Sequence, residues 1–384
     1  MGHGGKTMTR KKTNLRLLQL LLATLIILSF GPITDGANIR GLWVVRGTMQ
    51  SKEAILEMLD KAQEAGINHV FVQVNMSGFA YYQSERLPLA ISSFDPLDFV
   101  IKEAHSRGIK VHAWLNAFTV GALGSKPTNK MQILYQHPEW ALVDIEGVSV
   151  LDYQRGTASE SLPTLYLEPG LKGVQDWVVE NFLEVVSKYD VDGLHFDFIR
   201  YPSRNFGYHP EVVREFEDKF GFKPQAIVKD YRHLKEQLGR DGYKEAKDYF
   251  DDFRRDQITN IVRRVYEGTK EINPNCLVSA AVFPIPADAV DQKFQDWFLW
   301  LKNSYLDFAC PMIYDTEDYI LSIRLADIER LVDKKRVIVG LGPYKDTVSG
   351  TLRKIETVEK KNFAGFMLFS YDSIKDSSLW SNLQ

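Results

Sequence analysis

The chain has 384 residues, of which 45% are hydrophobic, 12% aromatic and 25% charged, with 26 Gly and 15 Pro; this balance excludes a fibrous, collagen-like or disordered protein. A formal charge of -3, with no basic block after residue 16, excludes the electrostatic footprint of a dedicated nucleic-acid binder. Two cysteines, Cys276 and Cys310, are too few for a disulfide framework or a cysteine-based zinc site.

Lys11, Lys12 and Arg16 precede an apolar run, residues 17–30, which small residues follow. A basic segment ahead of an apolar stretch shorter than the roughly 20 residues of a bilayer span reads as a cleaved secretory signal. Residues 1–37 are therefore expected to be a signal peptide and short leader, and the remainder, residues 38–384, one soluble domain that is secreted or periplasmic. No stable membrane insertion is expected after cleavage. Removing residues 1–37 takes away five basic residues and one acidic one, leaving a formal charge of -7.

After the leader, short β-branched or apolar runs alternate with longer amphipathic stretches, the pattern of parallel strands joined by helices. Strands are predicted at 41–46, 69–75, 110–116, 193–198, 277–282, 308–313, 337–341 and 365–369. Helices are predicted at 51–65, 96–107, 171–188, 243–272, 287–303, 319–332 and 348–360. Eight uninterrupted strand–helix units predict an α/β fold, a single (β/α)8 TIM barrel, because closure leaves no unpaired strand edge. The long segments 117–168 and 199–242 follow strands 3 and 4, so both emerge at the C-terminal end, where barrels build their clefts. Cys276 and Cys310 fall at different heights of neighbouring strands and are expected as two buried thiols.

Alternation sorts each strand into a helix-facing and a lumen-facing set. In the fourth strand Leu194, Phe196 and Phe198 share the outer face, which directs His195 and Asp197 inward. The third directs His112, Trp114 and Asn116 inward, and the second Phe71, Gln73 and Asn75. Polar groups in a lumen must bond to one another or serve a ligand. Gln73, His112 and His195 fit a buried network equally well. Asn75, Asn116 and Asp197 lie at strand ends, where barrel enzymes hold their chemistry. Arg46, Tyr314, Asp315, Tyr344, Tyr371 and Asp372 are further candidates on the rim, with Arg46 also a possible counter-charge for Asp197. Trp114 offers a flat apolar face for a sugar ring or for core packing.

No metal site is expected, since the first strand offers no ligand, and no cofactor, since nucleophile-elbow, dinucleotide and Walker motifs are absent. Carboxylates beside Trp, Tyr, Asn, His and Arg suit glycoside hydrolysis, which needs one protonated and one ionised carboxyl.

Residues 191–202 (VDGLHFDFIRYP) resemble the fourth-strand signature of the glycosyl hydrolase-like 10 family of (β/α)8 barrels. Further resemblance lies in 40–44 (RGLWV), 71–75 (FVQVN), 111–116 (VHAWLN), 167–170 (LEPG), 310–314 (CPMIY) and 365–371 (GFMLFSY), covering about residues 38–375. The resemblance implies an exported enzyme acting on O-glycosidic bonds of a polysaccharide or cell-envelope glycan, with peptidoglycan strands among the candidate partners. Many members carry a second Asp directly after the strand Asp; Phe198 stands there in this chain. Family 18 chitinases place their acid where this chain has Ile199. The plan that fits better is similar to barrel glycosidases with Asp at the ends of strands four and six. It maps Asp197 to the nucleophile and Asp315 to the acid/base, with Asp372 and Glu168 competing for the second role. Arg46, Asn75, Trp114, Asn116, His195, Tyr314 and Tyr371 are then expected to shape the sugar subsite. The alternatives are a catalytically inactive glycan-binding barrel and a carbohydrate esterase or deacetylase.

Overall fold

The computed structural model describes Met1, residues 38–154, Leu162 and residues 164–383. The expected signal segment lies outside the described residues, apart from Met1. Asn38–Gln384 forms one compact unit. Its barrel strands are β1 (Ile39–Val44), β2 (His69–Gln73), β3 (Lys110–Asn116), β4 (Gly193–Asp197), β5 (Leu277–Val282), β6 (Phe308–Ile313), β7 (Ile338–Leu341) and β8 (Gly365–Phe369). All eight pair in parallel, and β8 returns to β1 to close the barrel, with Ile39 opposite Gly365. The fold is thus a (β/α)8 barrel.

The helices used below are α1 (Lys52–Glu64), α2 (Pro96–Ser106), α3 (Lys172–Lys188), α4 (Pro210–Phe220), α5 (Tyr231–Ile272), α6 (Trp297–Lys302), α7 (Asp318–Glu329) and α8 (Val348–Lys360). Local chemistry sets their starts: the Asp95 side chain accepts from Leu97 and Asp98 N–H ahead of Pro96, which lacks a donor to leave unsatisfied. One predicted helix, 287–303, divides into a π-helical turn at Asp288–Gln292 and α6. Between them Phe294 takes φ 55°, and Gln295 turns inward. Its amide accepts from Phe283 N–H at 2.9 Å and donates to the Ala281 and Ile199 carbonyls at 3.2 and 3.4 Å. Satisfying these buried backbone groups outweighs helix continuity, and it ties the end of β4 to the end of β5.

The main core fills the space between barrel and helices; Val70, Val72, Leu194, Phe196, Val278, Val339 and Leu368 belong to it. The insertion after β4 contains α4, which amphipathic reading of 199–242 did not separate from loop, and builds a second core from Tyr208, Val212, Val213, Phe216, Ile227, Ala246 and Phe250. Cys276 and Cys310 are free and buried. No described helix is long and apolar enough to cross a membrane.

Inside the barrel, large rings sit beside glycines. A Cβ on Gly193 would lie 2.1 Å from His112 Nδ1, and one on Gly340 would lie 2.9 Å from the Trp43 ring. His112 stacks on Phe71 at 4.2 Å and bonds His69 at 2.9 Å. Trp43 Nε1–H donates to His195 Nε2 at 3.1 Å, and His195 Nδ1 lies 2.8 Å from Ser279 Oγ. This network assigns the His195 proton to Nδ1. Burial holds His195 down to about 3, so the ring is neutral.

Candidate active site

Asp197 ends β4 with Asn116 of β3 directly opposite, and its carbonyl accepts from Ala117 N–H at 2.8 Å. The next residue, Phe198, takes φ 52°. That left-handed step leaves the outer face expected for Phe198 and reverses the chain, returning Arg200 to Asp197. Asp197 Oδ1 accepts from Phe198 N–H at 2.6 Å and stands 3.6 Å from Arg200 Nη1. The guanidinium lies over the rings of Phe198 and Phe283, at 4.5 and 5.0 Å. Expected as the counter-charge, Arg46 is instead exposed; its backbone N–H donates to Gln73 Oε1 at 3.3 Å and its carbonyl accepts from Met49 N–H at 3.2 Å, while its guanidinium makes no ion pair among the described residues.

The Asp197 residue is 8% exposed. Burial raises its carboxyl above the ordinary range, opposed by the Arg200 charge, the Phe198 N–H and the Trp114 indole. The Trp114 N–H acts on the carboxyl without closing a hydrogen bond of normal geometry, since Nε1 is a buried donor with no partner. Tyr166 and Tyr314 both feel the Asp197 charge, and burial pushes both phenols up. An aromatic wall continues from Trp114, which meets Phe369 edge-on at 6.4 Å, to Tyr314, stacked on Phe369 at 5.6 Å. Tyr344 stands edge-on to both, 46% exposed.

Of the sequence-predicted residues, Trp114, Asn116 and Tyr314 therefore gather around Asp197. Asn75 is engaged with the same strand end: its Oδ1 accepts from Asn116 N–H at 2.6 Å and its Nδ2 donates to Asn116 O at 3.3 Å. Asn116 Nδ2 contacts Met76 Sδ at 3.3 Å, and its Oδ1 is buried without a partner.

The others sit elsewhere or are already occupied. His195 lies lower in the lumen with both ring nitrogens engaged. Asp372 accepts from Val45 N–H at 3.2 Å and from Thr48 Oγ1 at 2.9 Å, fastening the loop after β1. Tyr371 packs in the outer core against Trp380; burial, with the charge of Glu57 on α1, raises it to about 12. Asp315 is exposed and makes no hydrogen bond or ion pair among the described residues. It is one residue past Tyr314, which keeps the inward phase of β6, so alternation turns Asp315 away from the lumen.

Glu168 is fully buried where the barrel meets the inserted module. Its Oε1 accepts from Tyr201 Oη–H at 2.9 Å and Gly170 N–H at 3.2 Å, while Oε2 has no partner. Burial pushes it up to about 7, against Tyr201, the Gly170 N–H and the Arg254 charge.

Sequence reasoning missed Arg200, Phe283, Lys293 and Phe369. Strand alternation extended to β8 finds Phe369, in phase with Met367 and out of phase with the outward Phe366 and Leu368. Arg200 carries no such signal, because the left-handed residue before it ends the period. No group of three or more described His, Cys, Asp or Glu side chains is placed to hold a metal ion. A recess of about 600 Å³ lies between the two insertions, lined by Glu139, Val143, Tyr208, His209, Arg214 and Glu217 among others, and shares no lining residue with the Asp197 site.

A closed parallel barrel with a carboxyl at the end of its fourth strand and an aromatic wall beside it defines a (β/α)8 barrel of the glycoside hydrolase-like class. The family model described as Glycosyl hydrolase-like 10 matches residues 38–336, and the chain belongs to that family. It is 29% identical over 292 residues to glycosyl hydrolase DigH of Escherichia coli K12, an alignment covering 68% of this chain and 58% of DigH. With glycosyl hydrolase YngK of Bacillus subtilis it shares 25% over 292 residues, covering 69% of this chain and 49% of YngK. The chain thus spans roughly half to three fifths of these relatives. The PgaB (BpsB) glycoside hydrolase domain of Bordetella bronchiseptica shares the fold, with a TM-score of 0.66 at 13% identity over 90% of this chain and 98% of that domain.

Proposed function

We propose that the protein is an exported glycoside hydrolase that cleaves O-glycosidic bonds of a polysaccharide or cell-envelope glycan, with Asp197 as its central carboxyl. The observation that carries this reading is the Asp197 carboxyl itself: at a strand end, largely buried, beside a cation and an unused indole N–H, and next to an aromatic wall with an exposed outer edge. Burial raises the carboxyl, and the Arg200 charge and the Phe198 N–H restrain the rise, the kind of environment by which barrel glycosidases set the roles of their carboxyls. The aromatic wall suits the apolar face of a pyranose. Asp315, on the loop that carries Tyr314, is the partner assigned to it. The basic residues ahead of the apolar run 17–30 support export.

The exposure and outward phase of Asp315 favour a second reading, a barrel that binds glycan without cleaving it. One experiment separates the two. The mature chain is incubated with sacculi, peptide-free peptidoglycan strands and plant-type polysaccharides, and products are identified by mass. Hydrolysis releases new reducing ends, and Asp197→Asn lowers turnover at least about 100-fold with the fold intact. Turnover unchanged by that substitution rejects the assignment of Asp197. Saturable binding with no new reducing ends establishes the second reading.

A further inference from the structure

The recess of about 600 Å³ between the two insertions has fixed walls. His209, itself buried, joins its two sides: Nε2–H donates to the Glu139 carbonyl at 2.9 Å, and Nδ1 accepts from Glu211 N–H at 3.3 Å to cap α4. Val143, Tyr208 and Val213 form a buried apolar back wall. The volume suits a small ligand or a few residues of peptide.

The charged groups of this recess are open. Glu139 Oε1 is held by His137 Nδ1 at 2.8 Å, but the side chains of Arg214, Glu217 and Lys223 make no ion pair or hydrogen bond among the described residues. The carbonyl oxygen of the Gln225 side chain is buried in the same wall without a partner. A recess of about 640 Å³ beside α2 and the end of α3 is the opposite case. There Lys102 is paired with Asp98, His105 with Asp192, and Lys188 with Glu184 and Glu85, so no cation is free.

From α4 onward the free charges run basic, acidic, basic, at residues 214, 217 and 223. A polyanion meets Glu217, a polycation meets Arg214 and Lys223, and a neutral glycan engages none of the three. A sugar also finds no ring to stack on, because Tyr208, the aromatic residue of the lining, is 3% exposed. A peptide whose charges alternate in sign satisfies all three, and its N–H groups supply the donor that the Gln225 oxygen lacks. The spacing agrees. Residues 214 and 217 are three apart on one helix, about 5–6 Å between Cβ atoms, and alternate residues of an extended peptide share one face at about 6.6 Å.

We infer that the recess binds a short extended peptide in which acidic, basic and acidic side chains occupy alternate positions, the acids facing Arg214 and Lys223 and the base facing Glu217. This site is separate from Asp197 and does not depend on the reaction proposed there.

The test is calorimetric titration of the natural-sequence chain with three pentapeptides whose ends are acetylated and amidated. They are Glu-Ala-Lys-Ala-Glu, its charge inverse Lys-Ala-Glu-Ala-Lys, and the uncharged Gln-Ala-Gln-Ala-Gln. The first binds with a Kd below about 1 mM and about tenfold or more tightly than either of the others, and the margin shrinks as salt rises. Glu217→Lys, on the half-buried face of α4, removes the preference, and Arg214→Gln lowers it in part. Asp197→Asn leaves all three affinities unchanged; a loss there places the peptide in the barrel mouth and overturns the inference. Equal affinity of the three peptides, binding of none, or a preference that folded Glu217→Lys retains overturns it too, and each leaves the glycan-directed reading standing. Binding of tetra-N-acetylchitotetraose that Glu217→Lys weakens makes the recess a sugar subsite and likewise overturns the inference.

Discussion

Replacing Glu168 by Gln isolates the energetic effect of one buried carboxyl. In the folded protein burial raises this group from its ordinary 4.5 to about 7. The folded state therefore keeps the proton to higher pH than the unfolded state does, and the direction of the linkage follows. Below about pH 4.5 both states are protonated and the group has no effect. As pH rises from 4.5 to 7 the unfolded chain ionises first and is favoured, so stability falls. Above 7 the loss is complete, and the interval corresponds to about 3 kcal/mol at 1.36 kcal/mol per unit. The amide of the Glu168→Gln variant cannot ionise, yet its carbonyl can still accept from Tyr201 Oη–H and Gly170 N–H. The second oxygen of Glu168 has no partner to lose. Urea midpoints for both proteins between pH 5 and 8 supply the measurement, because other titrating groups cancel in the difference. The variant exceeds the natural chain by less than about 1 kcal/mol near pH 5 and by up to about 3 kcal/mol at pH 8. A difference that stays flat across this range refutes the argument that Glu168 is desolvated and unpaired.

Two further outcomes follow from the packing. Gly193→Ala would set a methyl 2.1 Å from His112 Nδ1 and 2.8 Å from the Leu277 carbonyl; with both neighbours fixed in the lumen, the cost is about 3 kcal/mol, and a denaturant midpoint equal to that of the natural chain refutes this. Tyr344→Ala removes a ring that is 46% exposed, so the melting temperature stays nearly constant while glycan affinity falls about three- to tenfold; an unchanged affinity removes Tyr344 from the binding wall.

The barrel was legible because its signal is periodic. β3, β5, β6 and β8 occupy the residues predicted from alternation, and the other strands differ by one or two residues at their ends. Inward and outward faces were equally readable: Leu194 and Phe196 joined the outer core while His195 and Asp197 turned inward. Legibility stopped where a single residue broke the period. Phe198, in a left-handed conformation, brought Arg200 to Asp197, and Phe294 did the same for Gln295. A chain reversal of this kind depends on tertiary contacts, not on a repeat. The sequence also could not say which polar groups were already engaged. His195 and Asp372 had the chemistry of a site, but Trp43, Ser279, Thr48 and the Val45 N–H occupy them. The motif glycine, Gly193, belongs to packing: it makes room for His112.

The pairing of β1 with β8 has a consequence for how the molecule is made. Residue 39 is among the first of the described domain to be synthesised, and its hydrogen-bonding neighbour at residue 365 is among the last. Until that neighbour arrives, the growing sheet has two open edges and the seam stays unsewn. A ribosome that has delivered only β1 to β7 holds an unfinished cylinder. Under the export proposed above, late sewing would leave the chain unlocked while it is translocated.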